Sequence, residues 1–253
     1  MSSASFFTLS SGLKDRLQKV CDEYTFMDKD ITEKMSVTFV GLKSTWKTGI
    51  LHTLTTGKEP ANVSEVPIRA AQSYNLQLSE DHKVEFEVRD MDDDKSGEAV
   101  RMRKDAYSRS TGYVLCFNSH LEETFAELEK YFVMEIKKSK IEKKNNSKSD
   151  IAPFVLLSID YQPNGAKVIR GDQVADTRIV HLANTLGKEV ALVTIPSGTS
   201  SKDMCDVLDK ILRMIYHAGG GFATPALDKE FINSCKVYEP RNQKPKEKSC
   251  ILQ

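Results

Sequence analysis

The chain has 253 residues, and its 36 Lys and Arg residues balance its 36 Asp and Glu residues. This length accommodates one α/β domain of ordinary size with extensions. The balanced charge gives no electrostatic reason to expect nucleic-acid binding, and the basic segments lack interleaved aromatic residues, so we predict no nucleic-acid partner. The five cysteines are odd in number and show no C-x-x-C spacing, which indicates neither a disulfide framework nor a zinc site. We expect a reduced protein on the cytoplasmic side of the membrane.

Residues 1–34 come before the first clear strand pattern. Ser10 or Ser11 is suited to cap a short helix, because a side-chain oxygen at that position accepts from the first free N–H groups of a helix. Leu13 and Leu17 would lie on one side of that helix. We interpret residues 1–34 as an N-terminal extension that docks on the domain or is partly disordered.

From Met35 onward, strand patterns alternate with helical patterns. The segment Val84–Val88 alternates apolar and charged residues, which is typical of a strand buried on one face. The run Tyr113–Phe117 is continuously apolar, as expected for a central parallel strand. Further strands are predicted at residues 37–39, 76–78, 153–157 and 190–194, and helices after residue 47 and at 125–136, 179–186 and 204–215. This order predicts an α/β, three-layer domain over residues 35–218, with a mostly parallel six-stranded sheet and helices on both faces.

The segment from Val37 to Leu51 predicts a strand, a loop and the start of a helix. Gly41, Lys47 and Thr48 match three of the four fixed positions of the phosphate-binding pattern G-x-x-x-x-G-K-[ST], and Trp46 stands at the fourth, where glycine is expected. Such a loop directs backbone N–H groups at an anion. The candidate nucleotide-contacting residues are Gly41, Lys43, Ser44, Trp46, Lys47 and Thr48.

Several features together resemble a small GTPase of the Ras type, over about residues 35–217 and the last four residues. Besides the phosphate loop they are Val66-Pro67-Ile68, aligned with the first nucleotide-sensing switch, and Asp90, aligned with the start of the second. The segment from Ala106 to Phe117 resembles the second-switch helix and the strand after it. The resemblance implies a P-loop small-GTPase-like fold, with GTP or GDP and Mg²⁺ as ligands. Lys47 would reach the β- and γ-phosphates, and Thr48 and Asp90 would hold the metal.

The departures from that family affect the nucleotide site. Lys43 and Trp46 crowd the phosphate loop, where close backbone approach favours glycine. Ile68 replaces the threonine that binds Mg²⁺ in the family and has no oxygen to offer. Asp93 and Asp94 replace the glycine and glutamine of the second switch, which sense the γ-phosphate and position water. We therefore predict that binding of GTP, GDP and Mg²⁺ is weak or absent, and we assign no catalytic residue.

The segments that read the base in the family are also altered here. Where an Asn-Lys-x-Asp motif is expected, this chain has Ser158-Ile159-Asp160-Tyr161-Gln162, with Asp160 as the nearest carboxylate. The loop at Thr194–Gly198 carries Pro196, which has no backbone N–H to donate. Both changes favour loss of guanine recognition.

Residues 219–253 form a predicted flexible tail, in which Lys, Pro and Glu accumulate. The tail ends in Cys250-Ile251-Leu252-Gln253, a C-a-a-X sequence whose final Gln favours farnesylation of Cys250. One prenyl chain binds membranes only marginally, so the basic tail is expected to add attraction to an anionic inner leaflet through Lys244, Lys246 and Lys248. Cys235 is a candidate for palmitoylation, with a free thiol as the other interpretation.

We interpret the chain as a divergent Ras-like protein, impaired in GTP binding and hydrolysis, that acts as a farnesylated, peripheral membrane module for signalling. Protein effectors or regulators would bind the surface formed by Ile68–Tyr74 and Gly97–Tyr107. An alternative is a slow GTP-binding switch with residual GTPase activity that relies on Lys47, Thr48 and Asp90. A third interpretation is a scaffold that needs no membrane.

Overall fold

In the computed structural model, the described residues are 7–22, 31–63, 66, 71–77, 82–144, 152–160, 174–187, 190–218 and 229–238. Within these ranges eight strands form one mixed sheet with the order β3-β4-β2-β5-β6-β7-β1-β8. The strands are β1 (Phe7–Ser10), β2 (Ile31–Val40), β3 (Gln72–Gln77), β4 (His82–Asp90), β5 (Gly112–Phe117), β6 (Phe154–Ile159), β7 (Val190–Ile195) and β8 (Lys236–Tyr238).

Helices connect most of these strands. They are α1 (Ser11–Asp22), α2 (Lys47–Thr56), α3 (Gly97–Arg109), α4 (Glu122–Glu127), α5 (Val133–Lys144), α6 (Asp176–Leu186), α7 (Ser201–Ala218) and α8 (Lys229–Ser234). A π-helical turn, Leu128–Phe132, joins α4 to α5. A single 3-10 turn, Lys43–Thr45, lies between β2 and α2.

The sheet has a hydrophobic core on each face, which confirms the predicted α/β architecture with helices on both sides. On one face, residues of α1, α2, α7 and α8, such as Ile50 and Ile215, pack with Val37 of β2. On the other, residues of α4, α5 and α6, such as Phe125 and Leu182, pack against β5 and β6. Because both faces are covered, β5 and β6 are buried along their whole length.

The prediction of six strands is wrong, since the described part of the sheet has eight. All six predicted strands are present as β2 to β7, and the sheet continues past β7 with β1 and β8. β1 pairs antiparallel with β7, and β8 pairs parallel with β1. These two strands have only four and three residues, too few for an alternating pattern to stand out in the sequence.

Ser10 joins the N-terminal segment to the domain. Its Oγ accepts a hydrogen bond from the Leu13 N–H at 3.2 Å, so it caps α1 as one of the two predicted capping residues. The same Oγ accepts from the Val190 N–H at 3.2 Å, at the start of β7. α1 also packs on α7. Residues 7–22 therefore dock on the domain.

The loop after β2 and the loop after β4 meet at one edge of the sheet. β2 and β4 are parallel neighbours, with Phe39 paired to Asp90, so their carboxyl ends lie side by side. Gly41, directly after β2, has φ of 152° and lies so close to the Cys116 carbonyl that a Cβ would clash with it. Only glycine fits there without strain, and this fixes where the phosphate loop begins.

Candidate functional site

In the phosphate loop, the segment of residues 41–48 that matches the phosphate-binding pattern, backbone N–H groups bond to carbonyl groups of the same segment. The N–H groups of Thr45 and Trp46 donate to the carbonyls of Leu42 and Lys43, each at 3.1 Å. In a loop that cradles phosphate, backbone N–H groups of this kind point at the anion. Two of the donors in this segment are therefore already committed within the loop. Ser44, another predicted contact residue, is exposed.

Trp46 is built into the core. Its backbone is left-handed, with φ of 62°, the only such non-glycine residue in the part of the chain that is described. Its indole packs on the first turn of α2, where a Cβ added to Gly49 would lie 2.5 Å from the indole Cε2. Trp46, which stands where the pattern expects glycine, therefore has room for its indole only because residue 49 is itself a glycine.

Lys47, Thr48 and Asp90, which the resemblance assigns to phosphate and metal binding, bond to one another in a buried cluster. Lys47 Nζ donates to Asp90 Oδ1 and, at 2.9 Å, to the carbonyl of Met91. The Thr48 hydroxyl donates to Asp90 Oδ2 at 2.6 Å. The side chains of Lys47 and Asp90 are 0% and 2% exposed. Burial of this kind strengthens the ion pair and makes either partner costly to leave alone.

A second set of contacts ties the phosphate loop to the acidic segment Asp90–Ser96, which begins at the last residue of β4 and which we call the acidic loop. The Lys43 N–H donates to Asp93 Oδ2 at 2.8 Å. Lys43 Nζ lies 3.2 Å from Asp92 Oδ1 and 3.8 Å from Asp93 Oδ1. Although partial burial favours the neutral acid, the hydrogen bond from Lys43 holds the pKa of Asp92 below its usual value. Lys43 thus engages two carboxylates of the acidic loop, those of Asp92 and Asp93, from within the protein.

Arg103 of α3 anchors the acidic loop from its other side. Its guanidinium forms a two-pronged pair with Glu135 of α5, Nε to Oε2 at 2.9 Å and Nη2 to Oε1 at 3.2 Å. Nη1 donates to the carbonyls of Asp92 and Asp94, at 2.9 and 2.5 Å. Arg103 is 1% exposed. The planar fork of arginine suits such a junction, where one side chain satisfies three acceptor groups.

The metal ligands implied by the resemblance, Thr48 and Asp90, do not fit a Mg²⁺ site in this arrangement. Both Asp90 oxygens accept hydrogen bonds, one from the Lys47 ammonium and one from the Thr48 hydroxyl. A cation would have to displace an ammonium group, whereas Mg²⁺ needs oxygen ligands that are free to coordinate it. Within the described ranges, no cluster of three or more His, Cys, Asp or Glu residues is arranged to hold a metal.

Small GTPases of the Ras type recognise the base at the position that corresponds to the end of β6. In this chain, the polar groups at that position bond to one another. Asp160 Oδ1 accepts from the Ser158 hydroxyl at 2.7 Å and from the Ser119 hydroxyl at 2.8 Å. The Ser119 N–H donates to the same oxygen at 3.1 Å. Beyond β7, the Pro196 carbonyl accepts from Thr199. Asp160, the carboxylate that the sequence places nearest the base position, is therefore engaged by its own neighbours.

Several predicted residues lie outside the described residues. These are Pro67 and Ile68 of the first-switch match, Tyr161 and Gln162, the tail residues Lys244, Lys246 and Lys248, and Cys250. Cys235 is described and is buried, and its thiol donates to the Phe231 carbonyl at 3.2 Å. Burial raises the pKa of this thiol to about 11, so the free-thiol interpretation fits it better than palmitoylation.

Arg103, which joins α3, α5 and the acidic loop, could not be identified from the sequence. Arg103 and Glu135 are 32 positions apart and belong to no motif, and only the packing of α3 on α5 brings them together. The role of Asp93 as an acceptor for the Lys43 N–H was also missed. Its position opposite the phosphate loop could have been found from the pairing of β2 with β4.

No family model matches the chain, and no curated protein matches its sequence. In the described part of the chain, no helix is both long enough and apolar enough to cross a membrane.

Proposed function

We propose that this protein is a Ras-like interaction module that has lost productive GTP binding. Its phosphate loop serves as a structural element, and its α3 surface binds protein partners. A single observation carries the proposal: the buried ion pair of Lys47 with Asp90, joined by Thr48. The lysine that would reach a nucleotide phosphate instead pairs with the carboxylate that would hold the metal.

The strand order supports a small-GTPase-like domain as the core of this fold. The segment β3-β4-β2-β5-β6-β7 contains one antiparallel pair, at β3 and β4, and four parallel pairs. The phosphate loop follows the central strand β2 at the carboxyl edge, where ligands bind in open α/β sheets. β1 and β8 extend this core at the β7 edge.

The partner surface is proposed to include α3 and its approach. A groove of about 300 Å³ lies between the acidic loop and the start of α3, and its lining includes Glu98 and Met102. Met102 is 52% exposed and is one of three large apolar side chains that are exposed among the described residues. Methionine adapts its shape to different partners. The proposed surface also includes the described residues of the segment Ile68–Tyr74, which are Ala71 to Tyr74 at the start of β3.

A nucleotide assay tests the proposal against the slow-switch alternative, which is favoured by the meeting of Lys47, Thr48 and Asp90. The full chain is purified with Mg²⁺ present throughout, and released nucleotide is measured by chromatography. We expect much less than one GTP or GDP per protein. The amount of bound nucleotide should not increase in Lys47→Ala. Stoichiometric nucleotide that is lost in Lys47→Ala and retained more tightly in Trp46→Gly would contradict the proposal and establish the switch.

The membrane attachment is proposed to depend on a farnesyl group at Cys250 and on the basic tail. Replacing Cys250 by serine removes the only thiol of the C-a-a-X sequence, so we expect the tagged protein to move from membranes to the cytosol. Fractionation of cells detects this shift, and Cys235→Ser provides a matched control that should leave it unchanged. If Cys250→Ser stayed on membranes, or if the wild-type protein were never there, the scaffold interpretation would replace this one.

A further inference from the structure

The phosphate loop and the acidic loop meet at two points that have the same chemistry. At each point a donor of the phosphate loop is bonded to an aspartate carboxylate: Lys47 Nζ to Asp90, and the Lys43 N–H to Asp93. Lysine ammonium and backbone N–H are the two kinds of donor that hold phosphate oxygens in loops of this type. Carboxylate oxygens, like phosphate oxygens, are anionic acceptors of charge-assisted hydrogen bonds.

The acidic loop is held in this position from behind. Arg103 binds the carbonyls of Asp92 and Asp94 while it is fixed by Glu135 on α5. Asp94 also accepts from the N–H and hydroxyl of Ser96, whose Oγ caps α3 by accepting from the Ala99 N–H. The loop is therefore anchored to α3 and α5 on one side and to the phosphate loop on the other.

We propose that the acidic loop is an autoinhibitory ligand of the phosphate loop. Asp90 and Asp93 take the donors that would otherwise bind an oligophosphate, and Arg103 keeps the loop there. The inference rests on the proposed function, because both treat the phosphate loop as closed to GTP in the resting protein. It goes further by naming the groups that close the loop and the class of ligand that they exclude.

The Lys43 amide is the most direct probe, because Asp93 is its hydrogen-bond acceptor. Hydrogen exchange of this amide is measured by ¹⁵N-resolved NMR on the full chain, in Asp93→Ala and in the wild type. The Asp93 side chain is partly exposed, at 19%, and is not part of the buried Lys47–Asp90 pair, so its loss should leave the fold intact. We expect exchange at Lys43 to become at least about tenfold faster in Asp93→Ala, since the donor is released to water.

Inorganic tripolyphosphate then tests whether the released donor accepts an anion. In Asp93→Ala, tripolyphosphate should slow exchange at Lys43 again, whereas in the wild type it should change nothing. Asp92→Ala is the matched control, because it removes an equal charge from the side of Lys43 Nζ and leaves Asp93 on the amide. In this control, exchange at Lys43 should stay close to the wild-type rate.

Two results would overturn the inference. One is an exchange rate at Lys43 that is the same in Asp93→Ala as in Asp92→Ala. The other is protection of Lys43 by tripolyphosphate in the wild-type protein, which would show that no internal group excludes the anion. Both are read on nucleotide-free protein, so they remain distinct from the finding of bound GTP that would contradict the proposed function.

Discussion

Replacing Asp90 by alanine is expected to lower the free energy of unfolding by about 3–5 kcal/mol, the range found when one partner of a buried ion pair is removed. The substitution leaves the Lys47 ammonium buried with only the Met91 carbonyl as a described partner in this cluster, and it deprives the Thr48 hydroxyl of its acceptor. Urea unfolding followed by fluorescence of Trp46, the single tryptophan, measures the change.

The double variant Lys47→Met, Asp90→Leu serves as the control for this experiment. Because it removes both charges and keeps apolar volume, it should recover most of the stability that Asp90→Ala loses. Thr48→Val should cost about 1.5–3 kcal/mol, because it removes one hydrogen bond to a charged group. A loss below about 1 kcal/mol for Asp90→Ala would mean that Lys47 finds water or another partner, and that the buried pair is not what closes the loop.

Replacing Arg103 by alanine is the second change for which we expect a large effect, about 3 kcal/mol or more. The variant removes the cationic partner of the Glu135 carboxylate, whose side chain is 10% exposed. It also removes the donor to the carbonyls of Asp92 and Asp94. The same urea experiment measures the stability, and hydrogen exchange of residues 91–96 should become faster as well.

Two variants bracket the Arg103 result. Arg109→Ala breaks an exposed pair with Asp105 on the same helix and should cost about 0.3–0.5 kcal/mol. Arg103→Lys keeps the charge but lacks the fork, so its loss should lie between the two. Equal stabilities for Arg103→Ala and Arg109→Ala would show that Arg103 does not organise the acidic loop.

The parts of the fold that were predictable from sequence are those with long, regular patterns. β4 alternates apolar and charged residues from Val84 to Val88, and β5 is almost continuously apolar, so the sequence predicts both strands. β1 and β8 were missed because a short strand at a sheet edge is defined by its pairing partner. Phe7 and Leu9 are fully buried, yet two apolar positions alone do not predict a strand.

The candidate site also has one part that is predictable from the sequence and one part that is not. The phosphate-loop residues Gly41, Lys47 and Thr48 follow a spacing rule, and this is why sequence alone identified them. Their actual partners depend on a neighbouring strand, 43 positions away in the case of Lys47 and Asp90. The sequence indicates Asp93 and Asp94 only as departures from the second switch of the family, whereas the structure shows that Lys43 and Arg103 bind this segment from both sides.

A crystal structure of the full chain grown with millimolar GTP and Mg²⁺ would test the closed phosphate loop most directly. We predict that Lys47 Nζ remains on Asp90 and the Met91 carbonyl, that Asp93 remains on the Lys43 N–H, and that no phosphate lies between them. A β-phosphate held by Lys47, with Asp90 turned toward a Mg²⁺ ion, would contradict this interpretation and place the protein among GTP-binding switches.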